Sequence, residues 1–130
     1  MKNTVVVPVS DKNGLDAPIA DHFGRAPFFA VVVLGEDKKI ESIKTVENEG
    51  EHFGGHGHMH DHVLELKPDA IIAYGMGPGG LISFQGAGVS VLQANANATT
   101  VKEVIEAYEK NELQELTEGC HQARHHGHCR

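Results

Sequence analysis

Three short apolar runs, each enclosed by turn-forming residues, limit the folds open to this chain more than any other feature. Thr4–Val9 and Pro27–Leu34 are rich in β-branched and aromatic residues, and Asp69–Tyr74 encloses a third run. Hydrophobic runs of this length between glycine, proline and asparagine are typical of buried strands. We therefore expect a sheet whose central strands are covered on both faces.

The segments between and after these runs alternate between strand and helix patterns. Thr100 and Glu103 have the spacing of a capping box, which predicts the start of the last helix. Leu113 and Leu116 either extend that helix or follow it. The further predicted strands are Ile40–Val46 and Val89–Leu92, and the predicted helices are His60–Lys67, Leu81–Gln85 and Thr100–Tyr108. The resulting order, β-β-β-α-β-α-β-α, predicts an α/β fold with one mixed sheet and flanking helices.

The composition is that of one globular domain. The chain has 130 residues, of which 40% are apolar and 22% charged, enough for one hydrophobic core. No linker composition or internal repeat divides it. We expect a single α/β domain over residues 1–116 and a flexible, apolar-poor tail over residues 117–130.

Charge and hydropathy limit the classes of binding partner and the cellular location expected for this chain. The formal net charge is −7 with histidine neutral, which argues against nucleic acid or an anionic membrane as the main partner. No apolar run approaches the roughly 18 residues that span a bilayer. Met1–Asn3 leads directly into the first strand, without the apolar stretch of a signal peptide. We therefore expect a cytoplasmic protein.

Half of the ten histidines lie in one twelve-residue segment, EHFGGHGHMHDH. Residues two apart share a face in an extended chain, and residues four apart share one in a helix, so either geometry can bring imidazoles together. Imidazole is a ligand for zinc, copper, iron and nickel. The alternative is a solvated loop with incidental metal affinity. The metal-site candidates here are His52, His56, His58, His60 and His62.

The C-terminal tail holds a second set of metal-ligand residues, including both cysteines of the chain. Thiolates and imidazoles together form zinc sites, although the usual C-x₂₋₄-C spacing is missing. A mobile tail could instead close around a soft metal or a sulfide cluster, or act as a disordered metal scavenger. The candidates are Cys120, His121, His125, His126, His128 and Cys129.

Two stretches of the sequence resemble one protein family. The stretch DHFGRAPFFAVV (Asp21–Val32) is similar to the signature of the dinitrogenase iron-molybdenum cofactor biosynthesis family, and PDAIIAYGMGPGGLISFQGAGVSVL (Pro68–Leu92) resembles its second signature. The resemblance covers Thr4–Tyr108. It implies a ribonuclease H-like fold with a five-stranded mixed sheet. It also implies a carrier or chaperone of iron-sulfur or molybdenum-containing clusters.

The loop Asp21–Pro27 is placed near the cluster by this resemblance. Arg25 can hold an anion, and His22 can ligate a metal or donate a hydrogen bond. Phe23 is interpreted as a core residue and Gly24 as a turn residue.

A glycine-rich turn, Gly75–Gly80, follows the strand Asp69–Tyr74 and precedes the predicted helix Leu81–Gln85. Pro78 within it is suited to a first helical position. Free backbone N–H groups at such a turn can bind an anion, including an anionic cluster. Close packing of the helix on the strand is the alternative explanation for the glycines. The candidate cofactor-binding residues are Arg25, Gly77, Gly79 and Gly80.

These features favour a binding protein over an enzyme. The strand stretches Val5–Val9, Phe28–Leu34 and Ala70–Tyr74 carry no carboxylates, which argues against a ribonuclease H-type metal centre. No serine has a nucleophile-elbow context. We expect a carrier of a metal-sulfur cluster, iron-sulfur or molybdenum-containing, or of a transition-metal ion, which exchanges its cargo with donor and acceptor proteins. The alternatives are a nickel, zinc or copper buffer or metallochaperone, and an interaction module without metal.

Overall fold

The described part of the chain forms one mixed sheet with helices on both faces. The computed structural model describes residues 3–21, 23, 26–37, 39–47, 63–75, 78–94, 99–110 and 112–116, and of residues 78 and 79 the backbone alone. The strands are β1 (Asn3–Val9), β2 (Phe28–Leu34), β3 (Ile40–Glu47), β4 (Ala70–Ala73), β5 (Ser90–Gln93) and β6 (Gln114–Glu115). The helices are α1 (Pro78–Gly86) and α2 (Val101–Glu109), with a 3₁₀ turn at Gly14–Asp16 and a helical turn at residues 63–65.

The sheet has the strand order β3-β2-β1-β4-β5-β6. β1 pairs antiparallel with β2, and β2 pairs antiparallel with β3. β1, β4 and β5 run parallel, and β6 returns antiparallel to β5. The end of the sheet at which β1, β4 and β5 finish is called the carboxyl end below, and the opposite end the amino end.

The predicted α/β class and mixed sheet are confirmed, but the predicted strand number of five is wrong. The sixth strand, β6, contains the residues just before Leu116 that the sequence left open as a helix extension. β6 is held by backbone pairing, with Gln93 opposite Gln114 and Leu92 opposite Glu115. Its two side chains are both exposed. A strand of two polar residues has no hydrophobic alternation, so the sequence carried no signal for it.

The helices also differ from their predicted bounds. α1 begins at Pro78, three residues before Leu81, which confirms that Pro78 is suited to the first helical position, where its missing N–H costs no helical bond. Two residues after the helical turn at residues 63–65, Lys67 adopts a left-handed conformation with a φ of 54°. This conformation closes the turn just before Pro68. Within the described residues, no helix combines the length and apolarity needed to cross a membrane.

Alternating side chains of the strands build two core layers, one on each face of the sheet. In β1, for example, Val5 and Val7 point to one face and Val6 to the other. The first core layer lies under α2 and includes Val5, Val7, Val9, Ala30, Val32, Leu34, Ile72, Val101, Val104 and Ile105. The second core layer lies under α1 and includes Val6, Phe23, Phe29, Val31, Val63, Ile71, Leu81, Phe84 and Val91.

Pro8 accounts for the shortness of the ladder between β1 and β4. The pairing joins Val5 to Ala70 and Val6 to Ile71 and then stops. On this side of β1, the Thr4 carbonyl accepts a hydrogen bond from the Asp69 N–H, and the Pro8 carbonyl points the same way, accepting from the Ala20 N–H. Proline has no N–H to continue the ladder. The two strands therefore separate toward the carboxyl end.

The first turn of α2 is held by the predicted capping box, in an extended form. Thr100 is the N-cap, and its Oγ1 accepts a hydrogen bond from the Glu103 N–H at 3.4 Å. The Glu103 carboxylate in turn accepts from the Thr99 N–H at 3.3 Å and from both threonine hydroxyls, at 3.0 and 3.1 Å. These bonds, led by the one from the Thr99 backbone, lower the pKa of Glu103 from its usual value of 4.5.

We predict that Glu103 makes the stability of the fold depend on pH in acid. Because its pKa is lower in the folded than in the unfolded chain, its contribution is complete above the ordinary glutamate pKa and is lost as pH falls through the lowered value. Glu103→Gln should therefore be less stable than the wild type at neutral pH, and the gap should close in acid. Urea unfolding at a series of pH values measures this gap. The matched control is Glu106→Gln, exposed on the same helix, and a gap that is independent of pH would contradict the prediction.

We predict that Phe23 is required for a stable second core layer. Its side chain is 3% exposed, and its ring centroid lies 5.2 Å from that of Phe29 and 5.5 Å from that of Phe84. Phe23→Ala should lower the free energy of unfolding by about 3 to 5 kcal/mol. Phe23→Leu, which keeps most of the apolar volume, should cost clearly less. Urea denaturation compares the two variants, and equal small losses would show that Phe23 is not a core residue.

Candidate functional site

The carboxyl end of the sheet gathers most of the segments that carry candidate ligands. β1 ends there at Val9, and β2 starts beside it at Phe28, which is itself opposite Glu47, the last residue of β3. β4 and β5 end there at Ala73 and Gln93. The loop after β1, the histidine segment after β3 and the glycine turn after β4 therefore all leave the sheet at one end.

The loop between β1 and β2 crosses this end from one face of the sheet to the other. Ala17 and Ile19 belong to the first core layer, whereas Ala20, Phe23 and Ala26 belong to the second. The crossing uses the space that opens between β1 and β4. Strands whose connections lead away in opposite directions, as β1 to β2 and β4 to β5 do here, leave a crevice that commonly binds ligands.

Backbone hydrogen bonds hold the crossing segment between β1 and the start of α2. Ile19 forms an antiparallel bridge with Val9, and the Ser10 N–H donates to the Pro18 carbonyl at 3.0 Å. On the other side, the Ile19 N–H donates to the Thr99 carbonyl at 2.9 Å. Residues 18–20 thus form backbone hydrogen bonds to β1 near the carboxyl end, on the side where β4 pairs with β1 nearer the amino end. Because both sides are bonded, the loop that carries the first signature starts from a fixed frame.

Phe23 fixes the middle of that loop. The ring packs between Phe29 of β2 and Phe84 of α1, so its interpretation as a core residue is confirmed. His22 and Arg25 flank this anchored position in the sequence but lie outside the described residues, as does Gly24. Their roles stay predictions, for which Phe23 supplies an anchor at the carboxyl end.

The glycine-rich turn leads into the first turn of α1. Gly79 and Gly80 are helical, Gly80 is buried, and Gly77 lies outside the described residues. The first N–H groups of a helix have no partner within the helix. The burial of Gly80 also fits the alternative explanation, close packing of α1 on the sheet. The structure therefore leaves both explanations of these glycines open.

The two histidine-rich segments start from opposite ends of the sheet. The segment with His52 begins after Glu47 at the carboxyl end and leads to Val63, which is fully buried in the second core layer. The tail follows β6, which runs from the carboxyl toward the amino end. At its exit, the Leu116 N–H donates to the Val91 carbonyl at 2.7 Å.

The predicted metal ligands all lie outside the described residues, and their assignment stays a prediction. Among the residues the structure does describe, no group of three or more His, Cys, Asp or Glu side chains could hold a metal ion. None of the described residues is a histidine or a cysteine. The ligand candidates concerned are His22, His52, His56, His58, His60, His62, Cys120, His121, His125, His126, His128 and Cys129.

Two polar residues at the carboxyl end were not singled out from the sequence. Gln93, at the end of β5, donates through Nε2 to the Tyr74 carbonyl at 3.4 Å, which ties the start of the glycine turn to β5. Thr99 joins the crossing loop to the cap of α2 through its carbonyl and its hydroxyl. Both act through long-range pairing, for which a single sequence has no local signal.

The opposite end of the sheet has its own polar contact. Asp69 accepts a hydrogen bond from the Thr4 N–H through its carboxylate at 2.8 Å and donates its own N–H to the Thr4 carbonyl at 2.7 Å. Burial and, to a smaller extent, the negative charge of Asp69 raise the pKa of Tyr108. This end is therefore braced by Asp69 and contains none of the candidate ligands among its described residues.

Solved structures with the same fold come from several microbes. An NMR structure of a Thermotoga protein, provisionally assigned as a NifB protein, is 24% identical, with a TM-score of 0.69 over 89% of this chain and 95% of its own. The apo form of the orange protein of Desulfovibrio gigas is 20% identical, with a TM-score of 0.70 over 88% and 93%. A Methanocaldococcus jannaschii protein, provisionally assigned as a dinitrogenase, is 15% identical, with a TM-score of 0.70 over 91% and 98%.

At these identities the likeness establishes the shared fold. No curated protein matches the chain. The family model described as dinitrogenase iron-molybdenum cofactor matches residues 3–111. This range includes both described helices and every described strand except β6. This chain belongs to the dinitrogenase iron-molybdenum cofactor family.

Proposed function

We propose that this chain is a non-enzymatic, cytoplasmic carrier of a metal or metal-sulfur cluster, iron-sulfur or molybdenum-containing, on a ribonuclease H-like fold. The observation that carries the proposal is the meeting of three candidate segments at the carboxyl end of the sheet. Membership of the cofactor family supports it, and so does the likeness to the orange protein, whose structure was solved in an apo form.

The ligand chemistry of these segments suits such a cargo. Imidazoles from the segment after Glu47 would bind the metal, while the first-turn amides of α1 and the guanidinium of Arg25 would face anionic sulfides. The crossing loop is held on both sides by backbone bonds and by Phe23. A frame of this kind keeps ligands oriented without a deep cavity, so that the cargo can leave by ligand exchange.

The exchange of cargo implies two further proteins, a donor and an acceptor of the cluster. A carrier needs ligands that are replaced one at a time, since full release into water would expose the cluster. Histidine and cysteine ligands on chain segments outside the main sheet fit this requirement. β1, β2 and β4 carry no carboxylates, and this composition supports a binding role over nuclease chemistry.

A second candidate function is a metal-ion buffer or metallochaperone for nickel, zinc or copper. The observation that favours it is the number of candidate ligands, with ten histidines and two cysteines in a chain of 130 residues. The two histidine-rich segments leave the sheet at opposite ends, as separate ion sites would. A buffer would bind several bare ions per chain, whereas the carrier would bind one unit that contains sulfide.

We predict that the loop histidines and not the tail histidines hold the cargo. Two variants each change four histidines to alanine. The first is changed at positions 56, 58, 60 and 62, and the second at positions 121, 125, 126 and 128. Only the first should lose most of the bound metal and acid-labile sulfide, because its segment starts at the carboxyl end beside the crossing loop. Both are purified anaerobically without a metal column and compared with the wild type by elemental analysis, sulfide assay and visible spectrum.

The same measurement separates the two candidate functions. Several zinc or nickel ions per chain without sulfide, reduced by either variant, would support the buffer and overturn the carrier. Protein that binds no metal even after reconstitution with iron, sulfide and molybdate would overturn both. Circular dichroism of each variant checks that the fold is retained.

A further inference from the structure

The outer face of α1 is uncharged and carries one large exposed apolar side chain. The helix has the sequence PGGLISFQG, which contains no charged residue. Leu81 and Phe84 face the second core layer, and Ile82 on the outer side is 71% exposed. In the described part of the chain, Ile82 is the one large hydrophobic side chain that is exposed. α2, in contrast, carries Lys102 and several glutamates on its solvent side.

The end of the described chain is fastened to this helix. The Leu116 carbonyl accepts a hydrogen bond from Gln85 Nε2 of α1 at 3.0 Å, and its N–H donates to the Val91 carbonyl at 2.7 Å. The Leu116 side chain packs against the second core layer. The tail of residues 117–130 therefore starts beside the last turn of α1, on the same face of the sheet.

The distance from this start to the carboxyl end of the sheet can be estimated from helix geometry. Ile82 and Gln85 are three residues apart, so they are neighbours on the helix surface. The first residue of α1 lies about 10 Å from Gln85 along the helix axis, at roughly 1.5 Å per residue. Cys120 is four residues beyond Leu116, which allows a reach of about 13 Å at roughly 3.3 Å per residue. The thiol can therefore arrive at the glycine turn if the tail follows α1.

We propose that the outer face of α1, centred on Ile82, is the docking surface of the chain's own C-terminal tail, which thereby brings Cys120 to the carboxyl end of the sheet. Tethering at Leu116 gives the tail an effective concentration of about millimolar at this face, which favours it over a separate partner. The role of Cys120 as an added thiolate ligand rests on the proposed carrier function, whereas the docking itself does not.

Disulfide trapping in metal-free protein tests the docking. Cys129→Ser leaves Cys120 as the single native thiol, and a second cysteine is introduced either at Ser83, beside Ile82, or at Ser90. Both serines are exposed. Val91 belongs to the second core layer and Leu92 packs on the first, so a cysteine at position 90 faces the side of the sheet away from α1 and reports the reactivity of Cys120 without docking. The protein is incubated with oxidised glutathione. Mass spectrometry of quenched samples then measures how fast the introduced cysteine forms a disulfide with Cys120.

Docking predicts that Ile82→Asp slows the disulfide at position 83 about tenfold, since the tail is no longer concentrated along α1. Ile82→Val should keep the rate at position 83, and neither change should alter the rate at position 90. Because Ile82 is exposed, neither change should unfold the protein. A rate at position 83 that Ile82→Asp leaves unchanged, or an equal slowing at position 90, would overturn the proposal.

Cobalt binding tests separately whether docked Cys120 becomes a ligand. A sulfur-to-cobalt absorption band in the Cys129→Ser protein should vanish with a further Cys120→Ser change and weaken with Ile82→Asp. A fast disulfide at position 83 without this band would keep the docking and remove Cys120 from the ligand set. Failure of the carrier function would show as missing sulfide in the earlier experiment and would leave the trapping result unchanged.

Discussion

The missing N–H of Pro8 is the constraint on which the arrangement of the carboxyl end depends. A parallel ladder between β1 and β4 requires a donor at every second residue of β1, and Pro8 occupies the position after Val6 where the next donor is needed. The strands separate there, and residues 18–20 take over the bonding to β1. Beyond this point, the loop after β1 passes from the first core layer at Ile19 to the second at Ala20.

The crossing loop then connects both core layers. Ile19 is buried on one face and Phe23 on the other, so a few residues of chain are held by two separate hydrophobic clusters and by bonds to β1 and Thr99. A surface loop is ordinarily the most mobile part of a fold. Here the double attachment fixes the loop at Ile19 and at Phe23, the position that His22 and Arg25 flank in the sequence.

The sequence predicted what local patterns determine. The apolar runs of β1, β2 and β4 and the capping box at Thr100 were found because hydrophobic period and cap chemistry are local. β6 was missed because its two polar residues are held by backbone pairing alone, and the separation of β1 from β4 was missed because it depends on a partner some sixty residues away. The ligand assignments, from His22 to Cys129, stay predictions, since all fall outside the described residues.

The residues that follow the family match fix the point from which the second histidine-rich segment starts. The match ends at residue 111, yet the chain continues into β6, after which Leu116 is fastened to Gln85 and Val91. A tail that only scavenged metal would not need a fixed start. Fastening costs conformational entropy, and here the added strand places Leu116 on the face of the sheet that α1 covers. Two segments that leave the sheet at opposite ends can thus serve a single site, provided that the tail follows α1.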